Sequence, residues 1–218
     1  NISRFLLLNK NIKVYGIDNI NDYYSISLKL DRIQQLKKFK NFKFKKIDIT
    51  NKIKLENFFK NKNFSLIINL AAQAGVRYSL KNPSEFVKNN ILGFYNLIYI
   101  ANKKRIKKII YASSSSVYGD SKNYPLKETT NIQPKNIYSL SKKNNEEMAE
   151  VFSSQFGIKF IGLRFFTVYG EWGRPDMFMM KYLTSSYNSS KKFYLNNYGN
   201  HTRDFTYIND VCEIIIMG

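Results

Sequence analysis

Residues 106–119 read IKKIIYASSSSVYG, and residues 138–142 read YSLSK. The first stretch is a short apolar run that breaks into serines, Ser113 to Ser116, and a glycine, Gly119. It predicts a β-strand, IKKIIYASS, that ends in hydroxyl groups beside a turn. The second stretch opens a segment predicted helical over 138–155, and it sets Tyr138 and Lys142 four apart, on one helix face. An ammonium one turn away favours negative charge on the ring oxygen, so Tyr138 is suited to act as a base. A lone Tyr-x-x-x-Lys says little in a chain with 16 Tyr and many Lys. Placed after a serine-rich strand end it says much more, because a hydroxyl reaching the same reacting oxygen as Tyr138 would orient it or relay its proton. One or two of the serines are expected simply to satisfy backbone groups.

Outward from this stretch, strands and helices alternate. IKVYGID is a strand ending at Asp18, and residues 24–39 form a helix with Leu28, Ile33 and Leu36 near helical spacing. FKFKKIDI is a strand carrying Asp48 at its end, and Thr50 is placed to cap a helix through KLENFFKN. FSLIINLAA has the apolar run of a strand buried on both faces, and Pro83 opens a long helix over 84–102. IKFIGLRFF is a further strand. This alternation predicts an α/β fold: a doubly wound parallel sheet of the Rossmann type, with helices on both faces. Ligands of such sheets lie beyond the carboxyl ends of the strands. Asp18, Asp48, Ala71 to Gln73, Ser113 to Ser116 and Thr167 all fall there. The texture changes after Gly170, at EWGRPDMFMMKYL, where a region covering the substrate is expected to begin. The predicted division is therefore 1–170, a partial nucleotide-binding domain, and 171–218, the start of a substrate-binding region with returning sheet elements.

Composition narrows the class. At 218 residues, with 44% hydrophobic and 23% charged, the chain is globular. No apolar run approaches the roughly 18 residues of a membrane span, so no membrane association is expected. Cys212 is the one cysteine, which excludes an internal disulfide and a cysteine-based zinc cluster, and fits a reducing, cytoplasmic setting. His201 is the one histidine, and no metal site is expected. The net charge of +19 would suit a polyanion, but the lysines are scattered rather than gathered in one tract. That pattern argues for solvated surface and against nucleic acid. A basic surface would still help to gather a diphosphate-bearing substrate.

Several residues carry two readings. Asp18 either holds an adenosine ribose, which would favour NAD over its phosphorylated form, or is a turn or cap residue. Asp48 could contact the adenine edge. Asn89, inside the long helix, needs a partner if buried, and the loop at Ala71 could supply it. Arg203 and Asp204 could form a structural pair or touch a diphosphate. Arg77 and Arg174, read as loop residues near glycines, could each grip a carboxylate or phosphate through a bidentate contact, or simply lie at the surface.

The segments GIDNINDYYS (16–25), NLAAQAGVRYSLKNP (69–83), YASSSSVYG (111–119), YSLSK (138–142), LRFFTVYGEWGRPDMFM (163–179) and RDFTYIND (203–210) together resemble the extended short-chain dehydrogenase/reductase superfamily. Within it they are most similar to the nucleotide-sugar epimerases of the UDP-glucuronate 4-epimerase type. The resemblance implies bound NAD and a UDP-sugar substrate, and epimerisation at C4 by transient oxidation, turning UDP-glucuronate into UDP-galacturonate. It implies Ser114, Tyr138 and Lys142 as catalytic residues. Around NAD it puts Asp18, Asn19, Asp48, Ile49, Ala71, Ala72, Gln73, Asn89, Ser113, Tyr138, Lys142 and Phe165. Around the sugar it puts Arg77, Ser114, Ser115, Ser116, Thr167, Arg174 and Arg203. Related dehydratases and decarboxylases carry acidic residues in the stretch held here by Ser115 and Ser116, so the serines argue for epimerisation. A UDP-glucose type of epimerase is the alternative enzyme, and a non-catalytic nucleotide-sugar or polyanion-binding fragment is the alternative of another class. A homodimer is implied for the full-length parent.

The chain departs from that pattern in one respect. The family's glycine-rich loop, with its first strand, would precede Asn1, and Asn1 and EIIIMG both read as cuts rather than natural ends. The expectation is an internal fragment, inactive by itself, whose pyrophosphate cradle lies outside it.

Overall fold

The computed structural model describes residues 1–8, 12–121, 124–188, 193–200 and 202–218. His201 lies outside the described residues. The chain packs as two compact units, Asn1–Lys46 with Phe166–Gly218, and Ile47–Phe165. The first unit comprises α1 (Ile2–Leu7), β1 (Val14–Asp18), α2 (Ile26–Lys37), β2 (Phe42–Lys46) and a C-terminal set described below. The second comprises α3 (Lys52–Phe59), β3 (Ile67–Asn69), α4 (Val76–Lys81), α5 (Pro83–Phe86), α6 (Gly93–Lys103), β4 (Lys108–Ser114), α7 (Ile137–Phe156) and β5 (Lys159–Phe165). The C-terminal set of the first unit is β6 (Thr167–Tyr169), α8 (Phe178–Tyr187), β7 (Phe205–Tyr207) and α9 (Ile208–Met217). The packing units do not follow the ligand-based division expected at residue 170.

The α/β class and the parallel pairing expected from the sequence are present. β1 pairs with β2, β6 pairs with β7, and β3–β4–β5 form a three-stranded sheet, every pair parallel. β4 is the central strand of its sheet and the most buried. Its Ile109 and Ile110, on opposite faces of the sheet, are both sealed from solvent, and Phe94 of α6 packs on Tyr111, 5.3 Å between ring centroids. Tyr111 lies opposite Gly162, where an added Cβ would sit 2.5 Å from the Tyr111 hydroxyl, so the bare glycine makes room for that ring. Burial pushes the Tyr111 phenol well above its usual range.

Two local readings are corrected and a third is refined. Thr50 does not cap α3. Its N–H is taken by Asp48 Oδ1 at 2.8 Å, which turns the chain there, and Asn51 caps instead by accepting from Lys54 N at 3.0 Å. The long helix expected after Pro83 is present from Pro83 to Lys103, but it is not α-helical throughout: α5 passes into a π-helical turn, Val87–Leu92, which leads directly into α6. Arg77 is not in a loop but in the first turn of α4, a helix that the sequence reading did not foresee. Among the described residues no helix is long and apolar enough to cross a membrane, and no group of three or more His, Cys, Asp or Glu could hold a metal.

Candidate active site

The carboxyl end of β4 and the first turns of α7 meet in the second unit. β4 runs straight into a 3-10 turn, Ser115–Tyr118. Ser114, extended at its backbone, caps that turn: its Oγ accepts from Ser116 N at 3.2 Å and from Ser116 Oγ at 2.9 Å. Because Ser114 accepts both of these bonds, its own hydroxyl proton is left to donate. Ser114 is buried and Ser116 half-buried. The turn closes at Gly119, whose φ of 64° and backbone contact with Gln133 admit no side chain, since an added Cβ would lie 2.0 Å from Gln133 O.

α7 is started by a reciprocal cap. Asn136 Oδ1 accepts from Ser139 N at 2.9 Å, and Ser139 Oγ accepts from Asn136 N at 3.2 Å. This fixes the first turn, which carries Tyr138. The Tyr138 ring is half-buried and meets Phe86 edge-on, 5.9 Å between centroids. One turn on, Lys142 is 4% exposed and donates from Nζ to Ala112 O at 2.7 Å. Burial of the ammonium lowers its pKa to about 8. One turn further, Glu146 accepts from Ser113 Oγ at 2.5 Å and is gripped by Arg164 of β5. So Ser113, Ser114 and Lys142 are brought to one strand end, with Tyr138 on the helix line that Lys142 and Glu146 continue.

The loop after β3 is tied to this helix by Asn90, in the π turn and 1% exposed. Its Oδ1 accepts from Gln73 N at 2.7 Å, and its Nδ2 donates to Gln73 O at 3.0 Å and Ser141 Oγ at 2.9 Å. Asn145 Nδ2 donates to the Asn90 carbonyl at 2.7 Å. The partner expected for Asn89 thus belongs to Asn90. Asn89 instead donates to Glu85 O and Glu85 Oε2, at 2.8 and 3.0 Å, because the wider π turn shifts which residue faces inward. Ala71 is exposed, Ala72 half-buried and Gln73 buried. Ile49 is buried against Gly93, Phe165 ends β5, and Arg77 is exposed.

The other expected residues belong to the first unit. Asp18 ends β1, and its Oδ1 accepts from Ile20 N at 2.6 Å in the turn that follows. Asn19 Oδ1 accepts from Asn21 N at 3.2 Å. Thr167 opens β6 and donates from its N–H to Asp204 O at 3.2 Å. Arg203 is exposed and bonds to Thr202 O, and no ion pair joins it to Asp204. Arg174 is bidentate to Asp176, at 2.9 and 2.6 Å, with Tyr23 donating to the same carboxylate at 3.2 Å and its ring below the guanidinium. Burial would raise the Asp176 pKa, but the Arg174 bonds win and hold it below its ordinary value.

The sequence reading missed Asn90, Asn136, Glu146 and Arg164. For Glu146 a signal existed: it continues the four-residue spacing of Tyr138 and Lys142. For the others, nothing in one sequence separates them from surface polar residues.

The NAD dependent epimerase/dehydratase family matches residues 4–217. The chain belongs to that family. Similar family members include the protein CapI of Staphylococcus aureus, 45% identical over 93% of this chain and 60% of the relative, and the UDP-glucuronate 4-epimerase of Thermodesulfobacterium geofontis, 39% identical over 95% and 64%. Among solved structures, the UDP-glucuronic acid 4-epimerase from Bacillus cereus in complex with UDP-glucuronic acid and NAD is 31% identical, with a TM-score of 0.91 over 99% of this chain and 67% of that one. This epimerase/dehydratase chain spans 60% and 64% of the two curated relatives' lengths.

Proposed function

We propose that this chain carries the catalytic core of an NAD-dependent 4-epimerase of UDP-uronic acids, converting UDP-glucuronate to UDP-galacturonate. The observation that carries the reading is the strand end itself: a donor hydroxyl on Ser114, a phenol on Tyr138 and a buried ammonium on Lys142, with serine at both 115 and 116. The carboxylate bonded to this strand end, Glu146, has both oxygens held by Arg164, so it is not available as the acid that dehydration would require. The Bacillus cereus enzyme and the Thermodesulfobacterium geofontis relative, by their names, act on UDP-glucuronate, which supports the choice of sugar.

The donor set fits a dinucleotide. Among the described residues, Ala112 O is the one acceptor bonded to Lys142 Nζ, which leaves two of its N–H groups for ribose hydroxyls. Asp18 and Asn19 would take the adenosine ribose, Asp48 and Ile49 the adenine edge, and Ala71, Ala72 and Gln73 the backbone side. Ser113, Asn89 and Phe165 are assigned to the same cofactor, although Ser113 and Asn89 already engage Glu146 and Glu85. NAD, when bound, supplies the acceptor and donor of the hydride at C4. Tyr138 removes the proton of the 4-hydroxyl and later returns it. Ser114 donates to that oxygen and holds it toward Tyr138, and Lys142 favours the ionised phenol. Residues 1–170 would hold the cofactor and 171–218 would begin the substrate region; Thr167, Arg174 and Arg203 in the first unit, and Arg77, Ser115 and Ser116 in the second, are assigned to the sugar.

One observation favours a neutral hexose as a second reading. Arg174 already has a resident carboxylate in Asp176, so no sugar carboxylate is needed to satisfy it. A homodimer fits an apolar strip on the helices of the second unit, where Tyr95, Val151 and Phe156 are exposed and Tyr95 and Phe156 both contact Phe152. The test is to incubate the complete gene product with UDP-glucuronate and, separately, UDP-glucose, and to follow C4 inversion by NMR. Conversion of the uronate, with Tyr138→Phe slower by about 100-fold or more, supports the reading. Conversion of UDP-glucose alone would establish the neutral sugar.

A further inference from the structure

We propose that Glu146 and Arg164 form a positioning pair that sets the spacing between the Ser114 hydroxyl and Tyr138. The proposal rests on the reaction assigned above, but its geometry is independent of the sugar. Lys142 and Glu146 are successive turns of α7, and they are pinned to successive residues of β4: Lys142 Nζ to Ala112 O at 2.7 Å, and Glu146 Oε1 to Ser113 Oγ at 2.5 Å. Arg164, the register partner of Ser113 on β5, closes the arrangement. Its Nε donates to Glu146 Oε1 at 3.0 Å and its Nη2 to Glu146 Oε2 at 2.9 Å. Its Nη1 donates to Tyr118 Oη and to Glu128 O, both at 3.0 Å, and the guanidinium lies over the Tyr118 ring. Tyr118 is the last residue of the serine turn. One guanidinium therefore holds the helix that carries Tyr138 and the turn that Ser114 caps.

The pair is better explained as an orienting device than as a source of stability. The Arg164 and Glu146 side chains are 19% and 17% exposed. Ion pairs this buried lose in desolvation much of what they gain in attraction, and apolar residues of similar volume often serve stability as well. A planar, bidentate fork adds direction, which an apolar contact cannot supply. The hydrogen bonds that Arg164 donates to Glu146 raise the Arg164 pKa, so the guanidinium keeps its charge.

The test uses two variants of the complete gene product. E146L/R164M removes both charges together and leaves neither unpaired, and R164K keeps the charge but loses the fork. Crystal structures of wild type and variants read the Ser114 Oγ to Tyr138 Oη separation, and steady-state kinetics read turnover. In E146L/R164M we expect the separation to widen by about 1 Å and kcat to fall about 100-fold, with KM within about threefold. R164K is expected to fall between wild type and the double variant. An unchanged separation with unchanged kcat in the folded double variant would overturn the proposal and leave the pair as a brace. Should the double variant not fold, R164K decides by the same two measurements. If wild type turns over neither UDP-sugar, the reaction assignment fails, while the separations still decide whether the pair positions Ser114 and Tyr138.

Discussion

Lys142→Met should change how the stability of this protein depends on pH, in a direction fixed by where that ammonium sits. The side chain is 4% exposed, and burial lowers its pKa from an ordinary 10.5 to about 8. At 1.36 kcal/mol per unit, holding the charge in the folded state costs about 3 kcal/mol at neutral pH. The sign follows from proton counting. Between the two values the unfolded chain holds the proton and the folded one does not, so stability rises with pH through that window. Below about pH 8 the whole cost is present, and above about pH 10.5 it is gone. Methionine has no such term. Truncation also strips Ala112 O of its donor, at about 1–3 kcal/mol, but that loss does not vary with pH. The difference in unfolding free energy, variant minus wild type, should therefore fall by about 2 kcal/mol between pH 7 and 9.5. Urea unfolding followed by circular dichroism at several pH values measures it, with other titrating groups cancelling between the two proteins. The variant should also lose turnover by about 100-fold or more. A difference that stays flat with pH would refute the burial argument, and with it the claim that Lys142 is held as a charge only at a cost.

Two further substitutions probe the frame around the site. Asn136→Ala removes the reciprocal cap of α7 and should destabilise by about 1 kcal/mol; because the loosened turn carries Tyr138, kcat should fall several-fold while the affinity for NAD, read by fluorescence titration, stays near that of wild type. Gly119→Ala forces a Cβ against Gln133 O in a left-handed backbone, and should cost about 3 kcal/mol in urea unfolding, with loss of activity as the serine turn shifts. A wild-type melting profile for Gly119→Ala would mean that the turn relaxes freely.

What one sequence could and could not carry follows from the range of each interaction. The strands were legible because each is a local run: IKKIIYASS needs only its own residues to be recognised as a core strand, and β4 is the buried centre of its sheet. Tyr138 and Lys142 were legible because a helix repeats every few residues, and Pro83 because its ring suits a first turn. The misses lie where two local answers compete and a distant group decides. Thr50 and Asn51 are both good caps, and the carboxylate of Asp48 takes the Thr50 amide and moves the helix start by one residue. Asn89 and Asn90 are the same residue type side by side. Which one turns inward is settled by a π turn, and that turn is favoured by what its buried amide gains from Gln73, Ser141 and Asn145. The four serines show the same dependence at the site itself. They are alike as letters, yet a carboxylate from α7 takes Ser113, and the 3-10 turn makes Ser114 accept from Ser116. Ser114 keeps a free proton only because its neighbours donate to it. The chemistry therefore depends less on the serine run itself than on the helix, turn and neighbouring strand that sort its hydroxyls, and that sorting is what substitution of Glu146 and Arg164 should disturb.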